Sequence, residues 1–337
     1  SKLGDALGSI GNAVVGTVPP FRISLEPLED SSAWRSDDAV QQRSSELEKL
    51  GYHRSGDFSI AEMDGVVIRG FCHPTAACMA ALYQHPQVDE LLIDINRAHF
   101  DHSIVLVTNA AETGMDDPPN KKTIRYTDGP AMAEMHNGLL AACEGHEAFR
   151  ISAGLFRMMF TTAYAAEMDW RIERDGVTAD EVRAAAAAGG QEAPDDDVVD
   201  LVQLQWRATI ETFMDDEVLS AFQASKAIAE NQQGRVRPVH AKSNVDELSS
   251  AIAAAVFASE QPDEDELDDD EYEEAVERLE AQSAELVPQI RACFAGGSTA
   301  DEMRNAMAKL PSDNVIAHLG ETQRPYPAQF YLFPEER

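Results

Sequence analysis

ELLIDINRAHFDHSIVLVTN, residues 90–109, sets two runs of β-branched and large aliphatic residues, 90–96 and 103–109, on either side of a short polar bend. Such residues suit a pleated, half-buried surface, and a connection this short suits a hairpin loop. The stretch therefore predicts paired strands, and with them a sheet in the first third of the chain. Its bend also carries His99, Asp101 and His102, the densest group of chemically active side chains in the sequence.

Working outward toward the N-terminus, "FRISLEPL" from Phe21 alternates as a strand does. "SDDAVQQRSSELEKLGY" then reads as one early helix, with Ser36 or Asp37 as its cap and Gly51 as its stop. "DFSIAEM" and "VVIRGFCH" are expected to form a hairpin turning at Asp64-Gly65, a pair of residues that tolerates the positive φ of a tight turn. "TAACMAALYQH" fits a buried strand or a short helix equally, because periodicity does not separate the two. "KKTIRYTD" is a candidate closing strand, after a polar loop that holds Pro118 and Pro119.

Beyond Gly129 the texture becomes helical. "RISAGLFRMMFTTAYAAEMDWRIERDG" is apolar nearly all round and is expected at the centre of a helical layer. In the next long helix Val199, Val202, Trp206, Ile210 and Phe213 step along one face. Thr178 with Glu181, and Thr299 with Glu302, read as capping boxes. Pro288 should kink or divide the penultimate helix. "RPYPAQFYLFPEER" returns to strand-like residues and is expected to rejoin the N-terminal sheet.

The resulting fold class is α+β: an N-terminal, mainly antiparallel sheet with one early helix, then a larger helical region. By segment these are an N-terminal arm (1–20), a sheet region (21–128), a helical region (129–320) with an acidic linker (260–271), and a C-terminal tail (321–337). In the arm Leu3, Leu7, Ile10 and Val14 share a helical stripe that Gly4, Gly8 and Gly11 weaken.

Charge bounds the function. The 337 residues carry 60 acidic against 27 basic side chains, a formal net charge of −33, and the basic set holds 7 lysines against 20 arginines. Such a surface repels nucleic acid and anionic membranes. It suits solubility in concentrated salt, or else serves a basic partner or a cation. The acidic run at 263–274 lacks the glycine and ligand spacing of a calcium loop. Four cysteines, widely spaced, fit a reducing compartment such as the cytoplasm. No apolar run is long enough to span a membrane, and the first residues lack the basic start and apolar centre of a signal peptide.

Three candidate sites stand out. His99, Asp101 and His102 offer two imidazoles and a carboxylate, a donor set that suits zinc or non-haem iron; His73, His85, His136 and His146 are available to complete it. The bland alternative makes Asp101 and His102 turn formers and leaves His99 in solvent. Cys72 lies beside His73, the pairing of an activated thiolate, although strand neighbours point to opposite faces. Glu167, in the most apolar helix, would serve as an acid-base group or pair with Arg171 one turn later.

Nucleotide-binding and serine-hydrolase signatures are missing. The leading functional expectation is a non-enzymatic binding or protein-protein interaction protein with a strongly acidic surface, for which no cofactor is expected beyond a divalent metal. The alternative is a metal-assisted hydrolase working through residues 99–102.

Overall fold

The computed structural model describes residues 18–29, 34–86, 88–225, 236–239, 245–256, 269–293, 316–320 and 328–332. The stripe in 3–14, most of the acidic linker and the Thr299 capping box lie outside them. The chain divides into two compact units, up to Thr209 and from Ile210 onward.

The first unit is built on a seven-stranded sheet in sequence order: β1 (Leu25–Pro27), β2 (His53–Ile60), β3 (Met63–His73), β4 (Cys78–His85), β5 (Val88–Ala98), β6 (Ile104–Thr108) and β7 (Lys121–Arg125). Each strand runs antiparallel to its predecessor except β7, which is parallel to β6. Helices α1 (Asp37–Lys49) and α2 (Met132–Ala142) cover one face. Alternate strand residues meet them there: Val67 and Phe71, Ala80 and Leu82, Ile93 and Ile95, Val105 and Val107, packed with Val40, Leu47, Met135 and Leu139. The fold is α+β, as expected.

Helix α3 (Phe156–Glu173) covers the other face, entered through a 3-10 turn at Ala153–Leu155. Phe156 stacks on Phe58 at 5.8 Å, and its ring lies where a Cβ on Gly70 would stand. This corrects the expected place at the centre of a helical layer. Tyr164, Met168 and Ile172 face inward, whereas Met158 is exposed. The apolar surplus of α3 thus reflects one sheet-facing side and an outer side that simply contains Met.

With both faces covered, β4 is buried along its whole length. That removes the polar alternation which would have marked it as a strand. The β2–β3 hairpin forms, but its turn lies at Ala61–Glu62, closed by the pairing of Ile60 with Met63. Asp64 and Gly65 instead fall in an irregularity of β3, where the register jumps from Ser59–Val67 to Ile60–Met63. Gly65 has φ +75° there, so its conformational freedom serves the bulge and not the turn.

After α3 come α4 (Ala179–Ala188) and the long α5 (Asp196–Ser225). The α4 start is the predicted capping box: Thr178 Oγ1 accepts the Glu181 N–H at 3.2 Å, and the Glu181 carboxylate accepts the Thr178 N–H at 2.8 Å. On α5, Val199, Trp206, Ile210 and Met214 are buried, while Val202 and Phe213 are half-buried.

The second unit contains β8 (Val236–Val239), α6 (Val245–Val256), α7 (Asp269–Cys293), β9 (Ile316–Gly320) and β10 (Ala328–Leu332). Pro288 lies inside α7, which it does not divide. The C-terminal strand β10 does not rejoin the N-terminal sheet. It is the middle of a separate antiparallel sheet, β8-β10-β9, where its two neighbours satisfy its backbone on both sides.

Candidate functional site

The bend between β5 and β6 is a tight turn. The His102 N–H donates to the His99 carbonyl at 3.0 Å, and the His99 N–H donates to the Ser103 carbonyl at 3.0 Å. His102 takes φ +64°, the left-handed conformation with which a three-residue hairpin loop closes. Its carbonyl accepts the Asn120 side-chain amide at 2.7 Å, which ties the tip to the start of β7.

A second segment lies against this tip. After α2 the chain turns at Gly145, φ +85°, and the residues that follow run antiparallel to the hairpin end. His99 bridges Ala148, the Phe100 N–H donates to the Glu147 carbonyl at 3.1 Å, and the Phe149 N–H donates to the Ala98 carbonyl at 3.4 Å. This pairing brings His146 over His99, with ring centroids 5.0 Å apart. The His146 Nδ1 is 3.3 Å from Asp101 Oδ2.

His99, Asp101 and His146 can each present one ligand atom such that all three lie within 4.8 Å of one another. His99 is 1% exposed, which corrects the alternative that turned it to solvent. Asp101 and His146 are open, with side chains 57% and 47% exposed. His102 is exposed and falls outside the trio.

Ser103 organises the donors. Its hydroxyl donates to Asp101 Oδ1 at 2.6 Å and lies 3.0 Å from His99 Nδ1. A hydroxyl has one proton to give. Toward His99 it therefore accepts, so Nδ1 carries the ring proton and Nε2 carries the lone pair. That Nε2 is buried and has no hydrogen-bond partner. Burial, then the neighbouring His146 and Arg97, push the His99 pKa down and keep the ring neutral. The Ser103 hydroxyl and N–H hold Asp101 down to about 2. One buried imidazole lone pair and one ionised carboxylate thus stand ready in the protonation states that metal ligands require.

The other sequence candidates sit elsewhere. Cys72 is fully buried on β3, receives the Ser55 hydroxyl at 3.6 Å, and has its thiol pKa raised by burial, the opposite of thiolate activation. Glu167 is 4% exposed and pairs with Lys121 Nζ at 3.0 Å. Arg171, the expected partner, reaches Glu181 at 3.1 Å and the Asp116 carbonyl. Sequence reading also missed a polar group that α2 forms with Tyr52 and the end of β3. Tyr52 OH lies 2.9 Å from His136 Nδ1, and His136 stacks on His73 at 5.5 Å. A groove lined by Leu28, Arg35, Val67, Gln84 and Pro86 offers little, since Arg35 and Gln84 bind the protein's own backbone.

Comparison with protein-family models, with curated proteins and with solved structures finds no match. No helix among the described residues is long and apolar enough to cross a membrane.

Proposed function

We propose that this is a metal-binding protein that takes a divalent ion of the zinc class through His99, Asp101 and His146. The observation that carries the reading is the lone pair of His99 Nε2, buried without a partner and fixed in its tautomer by Ser103. An unmet buried polar group costs about 1–3 kcal/mol, and a metal bond relieves it. Two imidazoles and one carboxylate match the donor set of three-ligand zinc sites, which keep a coordination position for water or substrate. Hydrolysis by metal-activated water is the reaction class such a site supports.

The experiment is zinc titration against a chromophoric chelator, with elemental analysis after dialysis. One equivalent should be retained, and His146→Ala, a change at an open side chain, should remove it. His102→Ala should not. Failure to retain zinc, or equal losses in both variants, overturns the reading.

A second reading, a protein-interaction surface without chemistry, draws on the same tip. Phe100 is 57% exposed and Phe149 37% exposed, with ring centroids 4.3 Å apart, an apolar pair turned outward on an acidic protein. The two readings are compatible, since an ion at the tip would set the position of both loops. The free, buried thiols of Cys72, Cys78 and Cys143 support a reducing compartment such as the cytoplasm, and the net charge of −33 supports adaptation to salt.

A further inference from the structure

Arg97 precedes His99 by two residues, so the two side chains leave the same face of the sheet. In a protein this acidic an arginine would be expected to hold a carboxylate, and among the described residues Arg22, Arg35, Arg43, Arg54, Arg69, Arg125, Arg171, Arg174, Arg183 and Arg291 do so. Arg97 forms none among the described residues. Its Nη2 makes one long bond, 3.4 Å, to the His146 carbonyl, and its Nε is buried with no partner. A guanidinium is thus anchored on the backbone of one candidate ligand and placed two residues from another, with donor capacity unspent.

We propose that the metal site is a receptor for a small oxyanion, which binds the ion through one oxygen and Arg97 through another. The inference rests on the metal reading. Two neutral imidazoles and one carboxylate leave a divalent ion with one net positive charge. With Arg97 beside it, the tip becomes a local cationic spot on a surface of opposite sign. The guanidinium fork matches the planar edge of a carboxylate and the tetrahedral face of a phosphate group. The open coordination position supplies the second contact. Recognition here is coordination and hydrogen bonding only, with no bond made or broken.

The test uses protein loaded with cobalt(II), whose visible absorption reports its coordination shell. Inorganic phosphate and acetate are titrated separately, and the tighter of the two identifies the anion class. The spectrum should shift at millimolar anion or below. Arg97→Gln should weaken the anion at least tenfold while cobalt binds equally well or more tightly, since a neighbouring positive charge has been removed. Arg97→Lys keeps the charge but not the fork, so its anion affinity should fall between the two; it also serves if Arg97→Gln folds poorly. Cobalt bound with a spectrum that neither anion moves, or anion affinity indifferent to Arg97, overturns the oxyanion site and leaves the metal reading standing. Protein that binds no cobalt removes both.

Discussion

The buried pair of Arg69 and Asp57 offers a quantitative check on how the sheet is held. Arg69 is 1% exposed on β3, and its Nε and Nη2 donate to the two Asp57 carboxylate oxygens at 2.8 Å each. Asp57 has further support from Arg54 Nη2 at 2.8 Å and the Trp34 indole N–H at 3.2 Å, whereas Arg69 has the neutral Ser44 hydroxyl at 3.1 Å and the Trp34 ring, 5.6 Å from its guanidinium carbon. Burial alone would raise the Asp57 pKa, but these partners outweigh it and hold the carboxyl below its usual range. Breaking a buried pair by removing one member costs about 3–5 kcal/mol, because the other charge is left without compensation. Arg69→Met should fall near the lower end, about 3 kcal/mol, since Arg54 and Trp34 still serve the carboxylate. Asp57→Leu should cost more, about 4–5 kcal/mol, since it strands a guanidinium that has no other anion among the described residues. The double variant should lose only about 1 kcal/mol, because apolar residues of similar volume often replace a buried pair without penalty. The assay is urea unfolding followed by tryptophan fluorescence, to which Trp34 contributes from beside the pair. With a slope of about 2 kcal/mol/M, the single variants should lower the midpoint by about 1.5–2.5 M and the double by about 0.5 M. A double variant as unstable as the two singles combined would refute the argument that stranded charge sets the cost.

Other expectations follow from the same geometry. Ser103→Ala removes the group that fixes the His99 tautomer and should weaken zinc about 10–100-fold, as loss of such supporting bonds does; unchanged affinity in a chelator competition would contradict the assigned role. Burial, then Arg35, lowers the His85 pKa to about 4, and burial, then His73, lowers that of His136. Folded values below the unfolded value of about 6.5 mean that the unfolded state takes up protons first, so stability should be flat above pH 6.5 and fall between 6.5 and 4. Urea midpoints across that range, with His85→Gln flattening the slope, check it. Gly70→Ala would drive a methyl group into the Phe156 ring and should cost about 1–3 kcal/mol by overpacking. Pairing it with Phe156→Leu should recover part of the loss in the same urea assay. With a net charge of −33, the thermal midpoint should rise steeply as salt screens self-repulsion; a flat salt series would count against salt adaptation.

The sheet was legible in the sequence because the strands of 90–109 declare themselves locally, through side chains that suit a pleat whatever surrounds them. The early helix with its stop at Gly51 and the Thr178 capping box were legible for the same reason, since caps act within one turn. What depended on neighbours was left open or misread. β4 lost its alternation because helices cover both its faces, and Asp64-Gly65 looks the same to the eye in a bulge as in a turn. The C-terminal strand had no local mark of which sheet would pair with it.

The site divides along the same line. The sequence by itself determined that His99 and Asp101 stand together at a hairpin tip, because two residues apart in a tight bend they cannot be far separated. It could not determine that His146, 45 residues from Asp101, completes the group in place of His102. Only the tertiary structure decided that, through the backbone pairing of His99 with Ala148 that carries one loop onto the other. Pairing of that kind depends on where α2 packs against the sheet, and no spacing in the chain records it.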